Sequence, residues 1–383
     1  MKSKKRLSLY IHIPFCVQKC RYCDFFSAAA SAQEKHQYTE LLCREIRSWG
    51  RMLREKYSVY TIFIGGGTPT CLSAEQLQKI GAAIRESFDC DALTEFTTEA
   101  NPGTVMPEHL TVWQQMGINR ISLGLQSAQN RELQMLGRIH SYEEFLTTYQ
   151  MIRQSGMDQI NIDVMAVIPE QTLESYQDTL EKIVSLNPEH ISSYSLIIEP
   201  GTVFGDWEKN GTLKHVDEDV DRQMYEWTGK YLQHMGYQRY EISNYCRPGK
   251  YSRHNTSYWK GISYLGCGPS AHSFDGMTRE WNVSSIDTYI KGIEEDCRAF
   301  ETEYLDPTTR YNEFIITTIR TVWGTPIEKL KQMFGNEMWE YCQKMAAPYL
   351  KNGKLEEYNG ALRLTREGIF ISDSIMSDLL WVD

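Results

Sequence analysis

The sequence predicts an α/β fold: a parallel sheet, arranged as a whole or partial (β/α) barrel or as an open sheet, followed by a smaller, mostly helical, winged-helix-like unit. Between residues 7 and 200, six β-rich runs alternate with helical segments. The runs are apolar and β-branched, which is typical of strands buried on both faces of a parallel sheet. After about residue 305 this alternation gives way to helical sequence and a hairpin. In either parallel architecture, functional residues gather at the carboxyl ends of the strands.

The strands and the helices between them follow from periodicity and turn residues. Each apolar run ends near Gly, Pro, Ser or an acidic residue, and right-handed crossovers connect such units. The predicted strands are SLYIHI (8–13), TIFIG (61–65), LTEFTTEA (93–100), RISLGLQ (120–126), QINIDVMAVI (159–168) and HISSYSLII (190–198). The predicted helices are 34–57, 74–88, 107–116, 142–155 and 172–186.

The sequence after Glu199-Pro200-Gly201 is organised differently. A helix is predicted near 218–235, then a strand-like YQRYEIS (237–243) and a loop rich in Gly, Asn, Arg and aromatic residues at 244–274. Helical sequence then precedes two short strands around Asn359-Gly360, a favoured hairpin turn. Because this winged-helix outline has no basic stripe, we interpret it as a packing or partner module. The predicted division is a core of 1–205, an extension of 206–300 and a C-terminal unit of 301–383.

Charge and hydropathy exclude several classes of protein. The 383 residues include 40 Lys+Arg and 50 Asp+Glu, and 40 − 50 gives a net charge of −10. This balance disfavours a protein that grips the phosphate backbone of nucleic acid. No stretch approaches the roughly 18 apolar residues of a membrane span. The opening MKSKKRLSLYIHIPFC has no long apolar core and no small-residue cleavage site. We therefore expect a cytoplasmic protein that is not an integral membrane protein and binds no nucleic acid.

Three of the ten cysteines form a tight group. Cys16, Cys20 and Cys23 give C-x3-C-x2-C in a loop directly after the first strand. In a reducing compartment this spacing indicates a metal or cluster site rather than a disulfide framework. Three thiolates can hold a 4Fe-4S cluster whose fourth iron chelates S-adenosylmethionine, and an electron from the cluster then cleaves the sulfonium to a 5′-deoxyadenosyl radical. A Cys3His zinc site completed by His12 is the alternative, but β alternation directs His12 into the sheet.

The ends of the next four strands carry groups suited to a polar ligand. Consecutive glycines let backbone N–H groups approach a carboxylate or phosphate, and a strand-end carboxylate can fix an amino group or a ribose hydroxyl. Each feature alone is equally consistent with a structural role. Together they converge if the sheet is parallel, and buried polar groups need partners, so we predict one bound polar ligand. The features are Gly65-Gly66-Gly67-Thr68-Pro69-Thr70, Glu99, Gly124-Leu125-Gln126-Ser127, Leu136-Gly137-Arg138 and Asp163.

These segments resemble the radical S-adenosylmethionine (SAM) enzymes of the anaerobic, oxygen-independent coproporphyrinogen III oxidase family. The resemblance is carried by HIPFCVQKCRYCDF, GGGTPT, SLGLQS and MLGRIHS, and continues through YEISNY, SRHNTSYW and RLTREG. It implies a radical SAM partial (β/α) barrel with a winged-helix-like C-terminal domain. Within the family the sequence is most similar to the HemW-type haem chaperones. This implies three ligands, namely a 4Fe-4S cluster, SAM and haem, and an acceptor protein for the haem, such as a membrane-bound respiratory enzyme.

The resemblance also implies roles for individual residues in binding, and no catalytic residue is assigned. The cluster ligands are Cys16, Cys20 and Cys23. The residues around SAM are Tyr10, Tyr22, Gly66, Gly67, Thr68, Glu99, Gln126, Arg138 and Asp163, with Tyr22 on the adenine side. The haem contacts are His254, Asn255, Tyr258 and Trp259 of the H-N-x-x-Y-W motif. A neutral imidazole is a good axial ligand for haem iron, although a hydrogen-bonded structural histidine is the alternative for His254.

Three features distinguish the chaperones from the oxidases. The oxidases carry a fourth cysteine two residues after the third, whereas this chain has Phe25 there. They also have a longer N-terminal extension, and only 15 residues precede Cys16 here. The H-N-x-x-Y-W motif is typical of the chaperones. The alternative function is oxygen-independent coproporphyrinogen III oxidation. A radical enzyme that opens or methylates haem and one that modifies nucleic acid are weaker alternatives.

One loop departs from the family pattern. The family reads D-x-x-Y-G-x-P-G-Q-T after the fifth strand, whereas Ala166, Val167 and Glu170 replace the aromatic residue and the two glycines here. If those glycines have positive φ in relatives, Val167 and Glu170 are expected to force a different loop path. Because the loop is expected to lie near the ligand, ligand affinity or radical chemistry is expected to change with it.

Overall fold

The computed structural model describes residues 4–382, and its first half is a run of strand–helix units. The six strands predicted in this half are all present. They are β1 (Lys5–Ile13), β2 (Tyr57–Gly66), β3 (Glu95–Ala100), β4 (Arg120–Gln126), β5 (Ile160–Ala166) and β6 (His190–Ser195). The helices are α1 (Ala32–Leu53), α2 (Ala74–Ser87), α3 (Pro107–Met116), α4 (Asn130–Leu136), α5 (Tyr142–Gln154) and α6 (Leu173–Ser185). Only the short α4 is absent from the sequence prediction.

The remaining elements extend the sheet and add a separate C-terminal unit. The extension comprises α7 (Val203–Lys209), α8 (Glu218–His234), β7 (Gln238–Arg239), β8 (Asn244–Cys246), α9 (Arg253–Trp259), β9 (Tyr264–Cys267), β10 (His272–Phe274), β11 (Thr278–Asn282), α10 (Ile286–Glu294) and β12 (Phe300–Tyr304). The C-terminal unit comprises α11 (Pro307–Ile319), β13 (Thr325–Pro326), α12 (Ile327–Lys351), β14 (Leu355–Tyr358), β15 (Ala361–Leu364), α13 (Arg366–Ile369) and α14 (Ser372–Leu379).

The main sheet is a parallel partial barrel with added edges. Strands β1 to β6 pair in parallel in chain order, and β9 pairs in parallel with the other side of β1. The full order is β12-β11-β10-β9-β1-β2-β3-β4-β5-β6-β8-β7, so β12 and β7 are free edges. The structure therefore confirms the partial barrel and does not close it.

The parallel strands have two buried faces of different chemistry. One set of alternating residues is apolar and packs with the helices in the main core, as Leu9, Ile62 and Ile121 do. The other set is largely polar yet buried, as Thr97 and Ser122 are. Since successive side chains point to opposite faces of a strand, the polar set lines the inside of the barrel. A polar lumen needs partners, and the protein or a ligand must supply them.

Side-chain caps fix where most of the outer helices begin. Ser31, Ser73, Ser141 and Thr172 each accept a hydrogen bond from the backbone N–H three residues on, and that third residue bonds back to the cap. Each capping box satisfies two otherwise unpaired N–H groups. The caps place the first turns of these helices at the carboxyl-end side of the barrel, where the site lies.

The C-terminal unit has its own apolar core, formed by residues of α11, α12, α14 and the β14–β15 hairpin. Asn359 and Gly360 have φ of 50° and 75°, so the hairpin turn has the left-handed backbone that this dipeptide favours. The two helices and the hairpin predicted for this region are present. In residues 4–382, no helix is long and apolar enough to cross a membrane.

The segment 244–274 was predicted to be a loop, and this prediction is wrong. It contains β8, α9, β9 and β10, and the H-N-x-x-Y-W motif lies on α9. The strand predicted at 237–243 is reduced to the two residues of β7. Short strands and a seven-residue helix have little periodicity of their own, so contacts with the barrel define them.

Candidate cofactor site

A cavity of about 490 Å³ opens at the carboxyl ends of β1 to β6. Its wall brings together the three clustered cysteines and most of the residues predicted to surround the polar ligand. The predicted residues in the wall are Cys16, Cys20, Cys23, Tyr22, Gly66, Gly67, Thr68, Glu99, Gln126, Arg138, Asp163 and Asn255. Tyr10, His254, Tyr258 and Trp259 are absent from the wall.

The loop that carries the cysteines is tied to the turn after α4. Arg21 N donates to Leu136 O at 3.0 Å, and the Arg21 guanidinium donates to the carbonyl of Met135 at 3.1 Å. Gln18 Nε2 donates to Gly137 O at 3.0 Å. Gly137 has φ 74°, a left-handed C-terminal cap that a side chain would strain. The α4 turn, missed from sequence, therefore holds the cysteine loop over the barrel.

Backbone and side chains of the glycine-rich turn approach the first cysteine closely. Gly67 N donates to Ile13 O at 2.8 Å, and Thr68 Oγ1 lies 3.5 Å from Cys16 Sγ. A Cβ on Gly67 would lie 2.7 Å from Phe15 O and 3.1 Å from Cys16 Sγ. Only glycine therefore fits at this position without moving the cysteine loop.

The zinc alternative has no preformed site. His12 is hydrogen-bonded to Tyr10 OH at 2.9 Å and to Phe26 O at 3.0 Å, so neither ring nitrogen is available to a metal. Burial lowers the pKa of His12 to about 4, and the imidazole is neutral. Within residues 4–382, no three His, Cys, Asp or Glu side chains converge on a point that would hold a single metal ion. The three thiols line one cavity together.

Gly66 and Glu99 form another part of the cavity wall. Gly66 has φ 110°, and a Cβ there would lie 2.5 Å from the His12 ring. Gly66 N donates to Glu99 Oε2 at 3.0 Å. Burial, with a contribution from the negative charge of Asp163, raises the pKa of Glu99 to about 8. A cationic ligand group would compensate both effects, so Glu99 suits an ammonium or a sulfonium.

Asp163 is held by the side chains around it. Ser122 Oγ donates to Oδ2 at 3.1 Å, and Asn161 Nδ2 donates to Oδ1 at 2.7 Å. Burial raises the pKa of Asp163, and these hydrogen bonds oppose the rise. The carboxylate has lone pairs left for a hydroxyl or amino group of a ligand.

Three buried polar atoms of residues in the wall have no protein partner. They are Asn101 Oδ1, Gln126 Oε1 and Arg138 Nε. Gln126 has φ 75° at an irregularity between β4 and β5, which turns its side chain towards the cavity. Arg138 donates from Nη2 to Gly124 O at 2.7 Å and from Nη1 to Cys20 Sγ at 3.6 Å. Buried polar atoms in native proteins are nearly always paired, so this wall fits a polar ligand next to the thiols.

The predicted haem-contact motif lies behind the cavity wall. His254 is buried, with Nδ1 2.9 Å from Thr61 Oγ1 and Nε2 2.9 Å from Tyr258 OH. Trp259 lies under the guanidinium of Arg320 at 4.3 Å. Of the four predicted residues only Asn255 reaches the cavity. His254 could ligate haem iron only after both of its hydrogen bonds break, so the geometry favours the structural role that sequence left open.

Tyr10 also lies behind the wall. Its hydroxyl bonds to His12 at 2.9 Å, and its ring stacks on Phe63, which lines the cavity. In this conformation Tyr10 supports the ligand site through these neighbours. Tyr22 lines the cavity and packs against the cluster that includes Leu136 and Ile168.

The loop after β5 has a left-handed backbone at two of the substituted positions. Val167 and Glu170 both have φ 65°, so neither side chain has forced its residue out of the left-handed region. Glu170 is held by ion pairs to Arg131 at 2.5 Å and Lys214 at 2.8 Å. Val167 packs against the main core. These contacts offset the strain of positive φ, which for a β-branched residue is rare.

Several cavity residues were missed from the sequence, among them Arg120, Asn161 and Ser192. All three lie on the polar face of their strands, in register with Ser122, Asp163 and Tyr194 two residues on. The signal that could have found them is the strict alternation of polar and apolar residues within the strands. Such alternation, between helices that cover the outer face, indicates a polar interior.

The comparisons with known proteins cover the whole chain. Residues 10–183 match the radical SAM superfamily model and residues 305–371 match the HemN C-terminal domain. The curated haem chaperone HemW of Lactococcus lactis is 33% identical over 380 residues, which is 99% of each chain. HemW of Escherichia coli is 40% identical over 267 residues, 70% of this chain and 69% of that protein.

The fold is also that of a solved structure. Coproporphyrinogen III oxidase (HemN) from Escherichia coli, a radical SAM enzyme, matches with a TM-score of 0.86 at 23% identity, over 98% of this chain and 90% of that one. This likeness shows the fold alone. The full-length sequence relatives show more: the chain belongs to the HemW family of radical SAM proteins.

Proposed function

We propose that this protein is a haem chaperone that holds a 4Fe-4S cluster and SAM and transfers haem to an acceptor protein. The acceptor that we propose is a membrane-bound respiratory enzyme, reached from the cytoplasm. The names of the sequence relatives, one of which matches over 99% of both chains, support the proposal. All ten cysteines, which lie within the described residues, are free thiols, and this fits a reducing compartment.

The cavity wall supports the assignment of the two cofactors. Cys16, Cys20 and Cys23 would hold the cluster, which supplies low-potential electrons beside the ligand when bound. Gly66 and Gly67 allow close backbone approach, while Glu99 suits the ammonium group of SAM. The unpaired atoms of Gln126 and Arg138 would bond to the same ligand, and Tyr22 would pack against it.

One observation carries the choice of chaperone over oxidase. Phe25, at the position of the fourth oxidase cysteine, is 64% exposed at the mouth of the cavity. Ile197, which also lines the cavity, is 70% exposed, and Tyr194 in the same lining is partly exposed. Large exposed apolar side chains around a cavity mark a binding surface, and a porphyrin offers flat apolar faces of the same kind.

The test is an anaerobic haem titration of the reconstituted protein, with and without SAM. We expect stoichiometric binding and loss of at least tenfold in affinity for the Phe25→Ser and Ile197→Ser variants. Met106→Ser, at an equally exposed methionine outside the cavity wall, is the control and should bind haem as the wild type does. Haem binding no stronger than to an unrelated protein would refute the proposal. Conversion of coproporphyrinogen III to protoporphyrinogen IX by the reduced protein would establish the oxidase instead.

A further inference from the structure

A guanidinium group that makes no hydrogen bond or ion pair with the described residues lies in the wall of the cavity. Arg120 begins β4, is 3% exposed and lines the cavity beside Asn161. Among residues 4–382 its side chain has neither a hydrogen-bond acceptor nor an ion-pair partner. A guanidinium stays charged in proteins and carries five donors in a planar fork. A buried charge of this kind is normally paired, so the group points to a ligand.

The acidic side chains on the neighbouring strands are already engaged. Asp163, on β5, accepts hydrogen bonds from Ser122 at 3.1 Å and from Asn161 at 2.7 Å. Burial raises the pKa of Asp163 and the positive charge of Arg120 opposes that rise, although the two side chains form no ion pair. Glu95, on β3, accepts hydrogen bonds from the backbone at the N-terminus of α9. The guanidinium of Arg120 therefore has donors left for a ligand in the cavity that it lines.

Arg120 is far from the end of the cavity that carries the cysteines. Arg120 and Gln126 are the first and last residues of β4, which at about 3.3 Å per residue separates them by about 20 Å. Arg138 already serves the cysteine end, where it contacts Cys20. A ligand whose amino acid group is chelated at the cluster would keep its own carboxylate at that end. We therefore expect a carboxylate at Arg120 to belong to a different part of the ligand set, and the experiment below tests the SAM carboxylate as the other source.

We infer that Arg120 is an anion subsite at the inner end of the cavity, and that it binds a carboxylate of the porphyrin, a propionate arm that enters past the apolar rim. The inference rests on the proposed function for the identity of this ligand. The binding of a carboxylate by Arg120 does not depend on the proposed function, because a guanidinium can donate two parallel N–H···O hydrogen bonds to any carboxylate. The carboxylate of SAM is the alternative ligand of Arg120.

The experiment compares wild type, Arg120→Met and Arg120→Lys as full-length, anaerobically reconstituted proteins. Soret absorbance would measure the affinities for haem and for haem dimethyl ester, in which both propionates are blocked. Equilibrium dialysis would measure those for SAM and decarboxylated SAM. We expect the wild type to prefer haem over its diester by about 10- to 100-fold, as for a hydrogen-bonded charged pair. Arg120→Met should abolish this preference, and Arg120→Lys should retain part of it.

The stability of the ligand-free protein provides a second readout. Because Arg120 makes no hydrogen bond or ion pair with the described residues, Arg120→Met should melt at the same temperature as wild type or higher, whereas loss of a structural ion pair would lower the melting temperature. If Arg120→Met instead abolishes a preference for SAM over decarboxylated SAM, the carboxylate belongs to SAM and the propionate assignment is overturned. If the variant retains both preferences, the anion subsite itself is refuted. Failure of wild type to bind haem at all would refute the proposed function, while the SAM arm would still test the subsite.

Discussion

The carboxylate of Glu95 accepts the backbone N–H of His254 at 3.0 Å, across 159 residues of sequence. It also accepts the N–H of Arg253 at 2.7 Å and the hydroxyl of Ser252 at 3.3 Å. One side chain of the barrel interior thus satisfies the first donors of α9 and places a negative charge at the positive end of that helix. The H-N-x-x-Y-W motif is folded into the barrel by this contact.

Glu95→Ala should destabilise the protein strongly, because the variant leaves several buried donors without an acceptor. With about 1–3 kcal/mol for each unsatisfied buried group, we expect a loss of about 3 kcal/mol in the free energy of unfolding. Urea unfolding of the ligand-free protein would measure it. Glu301→Ala, on the exposed edge strand β12, is the control and should change stability by less than about 0.5 kcal/mol. Equal effects of the two substitutions would show that Glu95 does not organise α9.

His254→Ala should lower stability without changing the coordination of bound haem. Both ring nitrogens are hydrogen-bonded inside the protein, and burial lowers the pKa of His254 to about 3. Loss of the imidazole would leave Thr61 and Tyr258 without these partners, at a cost of about 2 kcal/mol. Absorption and electron paramagnetic resonance spectra of the haem complex would report its axial ligands. A spectral change in a folded variant would mean that α9 rearranges and that His254 ligates the iron.

Gly67→Ala should lower the iron content of the reconstituted protein. A Cβ there would press on Phe15 O and on Cys16 Sγ, and backbone cannot move away as a flexible side chain can. We expect iron and sulfide to fall to less than half of the wild-type value. Gly229→Ala, on α8, is the matched control, since its Cβ would meet only Tyr245 OH at 3.9 Å. The Gly229→Ala variant should bind as much iron as the wild type. Its free energy of unfolding should rise by up to about 1 kcal/mol, because alanine has a higher helix propensity than glycine.

Features of the structure that depend on local sequence could be predicted, whereas features that depend on contacts between distant residues could not. Six strands and the cysteine loop follow from local periodicity and spacing, and the structure places them as predicted. Helix α9 could not be predicted from local sequence, because Glu95, on a strand distant in sequence, caps it. Arg120 was missed since an arginine in an apolar run reads as the start of a strand at the surface. Only the pairing of β4 between β3 and β5 turns that position into the cavity.

The stability of the ligand-free protein should fall as pH rises, through Glu99. Its pKa is raised in the folded state to about 8, mainly by burial, so the folded protein holds a proton that the unfolded chain releases near pH 4.5. The stabilisation that protonated Glu99 gives the folded protein is therefore fully present below about pH 4.5. It is lost as the pH approaches 8. Glu99→Gln mimics the protonated form and removes this dependence. The measurement is the difference in unfolding free energy between wild type and Glu99→Gln from pH 5 to 9, and a constant difference would contradict the assignment.

Val167→Gly should leave stability nearly unchanged, although it deletes an apolar side chain that packs against the core. Val167 has φ 65°, and relief of left-handed strain in a non-glycine residue is worth about 1–2 kcal/mol. The extra entropy of glycine in the unfolded chain costs about 0.5–1 kcal/mol, and the lost packing of a half-buried side chain costs a similar amount. We therefore expect a net change within about 1 kcal/mol. Val164→Gly, three residues earlier in β5 and fully buried, has no such strain to relieve and should lose about 3 kcal/mol or more. Thermal or urea unfolding would compare the two variants, and losses of equal size would show that the loop after β5 carries no backbone strain.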